Sequence, residues 1–219
     1  MILSLSHKFL FIHVYKVTGT SIVHALGGSD VRQAVRTLPP EKKSLYLRSN
    51  GLDPSVLNMS DHAFAKEVRN VMDPSVFNQL YKFGFVRNPW DLQLSLYKYN
   101  VACPQHRNAV GDFSSFERFI MSASDDAFPS GQQKRFLFDD DGKQLVDFIG
   151  RYESLEDVFR SVCTSIGVGD IVLEHRNATT HAPWATYYTR ETFEKVRRGA
   201  VADIAAFGYD ADPAAYAIH

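Results

Sequence analysis

Little in this chain points to the commoner ways a small protein acquires function. Only two of its 219 residues are cysteine, Cys103 and Cys163, and they lack metal-ligand spacing. A zinc site or disulfide framework is therefore not expected, and two free thiols are. The formal net charge is -1, which excludes the broad positive field of a general nucleic-acid binder, so any anion site must be a local arrangement. The apolar run at residues 9–14 is interrupted by His13 and is far too short to span a bilayer. Residues 1–8 carry no basic region ahead of a sustained apolar stretch, which makes a poor secretory signal. A cytoplasmic protein without a membrane span is expected. The nucleotide-triphosphatase loop GxxxxGK[ST] is missing, as are internal repeats and low-complexity segments.

What is present reads as one globular domain over residues 1–219, with 45% hydrophobic and 22% charged residues, enough apolar side chain for a substantial core. Residues 9–14 (FLFIHV) predict a buried parallel strand, and a helix follows over residues 22–26, closed by Gly27 and Gly28. Residues 29–60 give no clear pattern, with Pro39-Pro40 and Asp53-Pro54 read as breakers, and helical pieces are expected near 61–71 and 74–80. A second strand is expected over residues 81–86 (YKFGFV), with Tyr81, Phe83 and Phe85 on one face and Gly84 leaving room for a close backbone or ligand. Asn88 then caps a helix with Pro89 at its first position, and Asp91 stands where a capping-box acid would. Residues 136–138 and 145–149 flank Asp139-Asp140-Asp141-Gly142 as a hairpin. Ser154 should cap an amphipathic helix bearing Leu155, Val158, Phe159, Val162 and Ile166, and a last helix from Thr189 turns Phe193, Val196, Ala200 and Ile204 inward. This order predicts an α/β fold, a three-layer sandwich whose central, mostly parallel sheet is flanked by helices.

Two segments carry chemistry. A strand that enters a helix through Lys16, Val17, Thr18, Gly19, Thr20 and Ser21 can make an anion cradle from converging backbone amides, hydroxyls and one lysine charge. Arg87 emerges at a strand end, where a guanidinium can grip a phosphate bidentately, and Ser95 lies about two helical turns further on.

His13-Val14-Tyr15-Lys16-Val17-Thr18-Gly19-Thr20-Ser21 resembles the phosphosulfate loop of sulfotransferases that use 3'-phosphoadenosine 5'-phosphosulfate (PAPS), and looks most like their carbohydrate branch. That family usually has proline where Tyr15 stands and threonine where Val17 stands. Phe83-Gly84-Phe85-Val86-Arg87-Asn88-Pro89-Trp90-Asp91, with Ser95 and Tyr97, resembles the 3'-phosphate motif of the same family, with Leu92 where its second arginine falls. Asp147-Phe148-Ile149-Gly150-Arg151-Tyr152-Glu153, then Asn177, Tyr187-Tyr188-Thr189 and Phe207-Gly208-Tyr209, continue the likeness. The resemblance implies a P-loop-like fold and sulfuryl transfer from PAPS to a carbohydrate or small-metabolite hydroxyl, with PAP as product and no metal. It implies cofactor contacts from residues 16–21, Arg87 and Ser95, and Arg151 either approaches the nucleotide or pairs with Glu153 or another acid. Lys16 would stabilise the oxygen between phosphate and sulfur. A base that titrates near neutrality is also needed; His62 fits by position, His13 is the second candidate, and His181 suits substrate binding. The aromatic residues Trp90, Trp184, Tyr187 and Tyr188 either stack on a sugar or fill the core. A kinase-like transferase and an inactive nucleotide-binding homologue remain the alternatives.

Overall fold

A computed structural model of the chain describes residues 1–106, 111–124, 132–173 and 182–218. The chain forms two compact units, one of Met1–Val86 with Arg135–Arg176, the other of Arg87–Lys134 with Asn177–His219.

The first unit is a mixed α/β structure around a four-stranded sheet in the order β1 (Ile2–Ser4), β2 (Phe9–Ile12), β3 (Tyr81–Val86), β4 (Phe148–Arg151). β1 runs antiparallel to β2, while β2, β3 and β4 are mutually parallel, with Ile12 opposite Gly84 and Val86 opposite Arg151. β2 is buried at every position, as an unbroken apolar run predicts for a central strand. It stops two residues short of the expected end, at Ile12. Phe11 packs against Phe83 (5.3 Å) and Phe83 against Phe85 (6.2 Å), which joins the two central strands through one aromatic face. Gly84 serves packing and not a ligand: a Cβ there would lie 2.6 Å from Leu137 and 3.3 Å from the Ile12 carbonyl oxygen. Gly150 is required similarly, since a Cβ would meet Phe85 at 2.5 Å and Val158 at 2.8 Å. Lys82 pairs with Asp147 (2.8 Å) and donates to the Leu80 carbonyl, so the acid of the Asp147 segment fixes strand register.

Around the sheet run α1 (Gly19–Ala25), α2 (Asp30–Thr37), α3 (Pro40–Ser49), a 3₁₀ turn (Pro54–Asn58), α4 (Ala65–Asn70) and α5 (Pro74–Gln79). The stretch without a legible pattern is thus helical. Pro39-Pro40 do break the chain, since α2 ends at Thr37 and α3 begins at Pro40, and Pro40, Pro54 and Pro74 each occupy a first helical turn, where the missing amide costs nothing. Asp53 and Asp73 accept from the Ser55 and Ser75 amides as caps. The expected hairpin at 136–149 survives only as its turn. Phe136 and Leu137 belong to α8 (Gln133–Leu137), Phe138 and Gln144 form a single bridge, and the strand begins at Phe148. α9 (Leu155–Ser165) buries Phe159, Val162 and Cys163; Ser154 precedes it without a side-chain capping bond.

The second unit is helical, with α6 (Pro89–Ala102), α7 (Phe116–Ser122), α10 (Arg190–Gly199) and α11 (Val201–Phe207). Asn88 caps α6 by accepting from the Trp90 and Asp91 amides. Thr189 caps α10, and the single expected helix bends at Ala200 into α10 and α11 while Phe193, Val196, Ala200 and Ile204 stay buried. Trp90 is fully buried: its ring stacks 4.3 Å from Phe193 and its Nε1–H donates to the Phe193 carbonyl. Tyr188 is buried too and donates its hydroxyl to the Trp90 carbonyl. Both belong to the core rather than to a sugar platform, whereas Tyr187 remains at the surface against Lys98. Both cysteines are free thiols. Among the described residues, no helix is long and apolar enough to cross a membrane.

Candidate functional site

The loop from β2 into α1 has an unusual backbone. Lys16 and Thr18 have positive φ, 59° and 48°, with Val17 between them on the ordinary side. Such alternation turns successive amides toward one point, the geometry of an anion nest. It is unfavourable for a β-branched threonine and persists only where the surroundings enforce it. Thr18 precedes α1 without a side-chain capping bond, and its Oγ1 is buried without a hydrogen-bond partner among the described residues. The first hydrogen bond into the helix is from the Ile22 amide to Thr18. The amides of Gly19, Thr20 and Ser21 therefore have no acceptor among the described residues. Val17 plays a different part: its side chain is 1% exposed and its amide donates to the Val14 carbonyl, so it anchors the loop in the core. Thr20 is exposed, while Lys16 and Ser21 are half-buried.

Three aromatic rings lie against this loop. The His13 imidazole occupies the place where a Cβ on Gly19 would stand, with Nε2 only 1.5 Å from that position. His62 packs on His13 at 4.2 Å between centroids, and Tyr15 meets His62 edge-on at 5.0 Å. The carbonyl of His13 can only accept, so the 3.1 Å contact with His62 Nδ1 puts the proton on Nδ1 and leaves Nε2 with its lone pair while His62 is neutral. The two candidate bases are thus brought together beside the loop, 49 positions apart in the chain. Tyr15, a departure from the resembled pattern, supports the His62 ring.

The two histidines differ electrostatically. Burial, and secondly the charge of His62, lowers His13 to about 3. Its Nδ1 is also buried without a hydrogen-bond partner among the described residues. Burial lowers His62 as well, against the hydrogen bond to the His13 carbonyl, which favours the charged form. His13 should therefore show an imidazole titration midpoint near pH 3 by NMR; a midpoint above 6 would contradict this environment. Because the unfolded chain takes up this proton at about pH 6.5, the His13 contribution to stability is lost as pH falls from there toward 3. Asp203, which burial raises to about 6 despite bonds from the Gln133 and Lys134 amides, acts with the opposite sign between about 6 and 3.8. The NMR midpoint isolates His13 where a melting curve would mix the two.

Arg87 and Ser95 belong to the second unit. Arg87 is 8% exposed, its Nε–H donates to Asp91 at 2.8 Å, and its amide and carbonyl are both bonded to the Gln133 side chain at 2.8 Å. Asp91, expected in a capping role, thus orients the guanidinium. Gln133, whose amide is held by Asp203, fixes the backbone beneath it. Ser95 is half-buried on α6. Arg151 ends β4 and is exposed. Asn177 and His181 lie outside the described residues. No group of three or more metal-ligating side chains occurs among the described residues.

The sequence singled out Lys16, Gly19, Arg87 and His62 as candidates, but not the contacts that Tyr15, Asp91 and Gln133 make beside them. The i, i+4 spacing of Arg87 and Asp91 was the one available signal for them. No family model, curated protein or solved structure matches the chain.

Proposed function

We propose that the chain is a PAPS-dependent sulfotransferase built on a P-loop-like α/β core, transferring a sulfuryl group to the hydroxyl of a carbohydrate or small metabolite. The observation that carries this reading is the loop after β2. Three consecutive amides without acceptors among the described residues, at Gly19, Thr20 and Ser21, follow a nest-like turn at Lys16 and Thr18. The loop packs on His13, against which His62 lies. A 5'-phosphosulfate offers the anionic oxygens that such amides and a lysine satisfy. Lysine ahead of the glycine, as in the resembled family, separates this loop from that of ATP-using kinases.

In the transfer, the acceptor oxygen bonds to sulfur as the bond from sulfur to the bridging phosphate oxygen breaks. The electron pair stays on that oxygen, and PAP leaves. Lys16 and the loop amides stabilise the negative charge that grows there, and positioning supplies much of the rest. The acceptor proton passes to His62 Nε2, and the imidazolium keeps its Nδ1–H bond to the His13 carbonyl. His62 suits this role better than His13, because a group held near 3 is too weak a base to accept a proton at neutral pH. The resemblance assigns the 3'-phosphate to Arg87, which Asp91 holds, and to Ser95, and it gives Arg151 as a candidate nucleotide contact.

Transfer of sulfur-35 from labelled PAPS to a panel of hydroxyl compounds tests the reaction. His62→Ala should lower turnover by about two to four orders of magnitude while PAP affinity stays within about twofold. Unchanged turnover in that variant would remove His62 from the mechanism.

A further inference from the structure

The least family-like part of the sequence, residues 29–60, builds a cavity in the first unit that the cofactor reading leaves unused. It has a volume of about 410 Å³, within the range of small-molecule sites. α2 contributes Arg32, Val35 and Arg36, α3 contributes Lys43, and the stretch after α3 contributes Leu57, Met59 and Asp61. The charges are unbalanced. Arg32 is committed, pairing with Asp61 at 2.5 Å and donating to the Met59 carbonyl at 3.1 Å. Arg36 and Lys43 have no acidic partner among the described residues. Two unneutralised cations thus face one cavity in a chain whose net charge is -1. Its apolar part is aliphatic, from Val35, Leu57 and Met59, and no aromatic ring lines it.

We propose that this cavity binds the acceptor, and that the acceptor is an anion on an apolar body, a hydroxylated carboxylate rather than a neutral sugar. Arg36 and Lys43 take the carboxylate through charge-assisted bonds. The aliphatic wall takes the hydrocarbon part, where a neutral sugar would lose hydration without gaining partners or a ring to stack on. Asp61, already neutralised by Arg32, joins the cavity to the chemistry through the chain: the next residue is His62. The cavity stands as an anion site without the sulfuryl-transfer reading, but the ligand's role as acceptor rests on that reading.

The test uses the full chain and two probes of one shape, para-hydroxyphenylacetate and its uncharged amide, followed by NMR. PAP affinity is measured separately by calorimetry. The carboxylate should shift the amide signals of Val35, Leu57 and Met59, and the amide should bind at least about tenfold more weakly. Arg36→Gln with Lys43→Gln should weaken the carboxylate by about tenfold or more, with PAP affinity unchanged. Equal binding of both probes, no binding of the carboxylate, or carboxylate binding indifferent to the double substitution would overturn the proposal. Carboxylate binding by a protein that ignores PAP would overturn the acceptor role and the sulfuryl-transfer reading together, and would leave the anion site standing.

Discussion

Lys16→Ala is expected to weaken PAP binding by about 10- to 100-fold and to lower sulfuryl transfer by a further order of magnitude. The first figure follows from removing one charge-assisted contact to a phosphate in a partly buried loop, about 1.5–3 kcal/mol. The second follows because charge on the bridging oxygen grows toward the transition state, so the lost interaction counts for more there than in the ground state. The backbone should not confuse the result. Lys16 holds a φ of 59°, and alanine tolerates that conformation about as poorly as lysine does, so the loop's strain is nearly the same in both proteins. Calorimetry with PAP, together with an unchanged melting temperature, would separate lost charge from lost structure. An unaltered PAP affinity would show that the lysine faces something other than a phosphate.

Gly19→Ala should be disabling through sterics alone. In a helix interior an added methyl group normally stabilises by roughly 0.5–1 kcal/mol, an upper bound for the gain at this first position. Here the new Cβ would lie 1.5 Å from His13 Nε2 and 1.9 Å from its Cδ2, about half an ordinary contact distance. The imidazole has little freedom to yield, since it stacks on Phe11 on one side and meets His62 on the other. Overpacking of this kind costs about 1–3 kcal/mol and sometimes more, so the clash outweighs the helix gain and the variant should melt lower. The His13 and His62 ring signals should shift with it, because any relief moves His13 against its partner. A second substitution gives an internal check. His13→Ala in the Gly19→Ala background empties the contested space and should recover part of the loss. A Gly19→Ala protein as stable as the parent, with unshifted histidine signals, would contradict the packing described for this loop.

Much of the frame was legible because it depends on local chemistry. The run YKFGFV coincides with β3, and Asn88 with Pro89 begins α6 as their capping preferences require. The loop and His62 were legible as residue types. Their meeting was not, since it requires β2 to bring His13 within 4.2 Å of a ring 49 positions away. Residues 29–60 could not be placed for a physical reason. Pro39-Pro40 separate two helices and Pro54 opens a 3₁₀ turn, and a proline marks such a boundary without saying whether helix lies before it, after it or on both sides. The hairpin failed because Phe136 and Leu137, apolar neighbours of a turn, suit a short buried helix as well as a strand. Gly84 was visible as an open position, but not that Leu137 fills it.

The most direct test of the central claim is a calorimetric titration of the wild-type protein with PAP and, separately, with ATP and magnesium. The sulfotransferase reading of the loop at residues 16–21 predicts micromolar-range PAP binding, within the usual span for cofactors, and ATP binding weaker by at least tenfold. Tight ATP binding with no response to PAP would contradict the sulfotransferase reading.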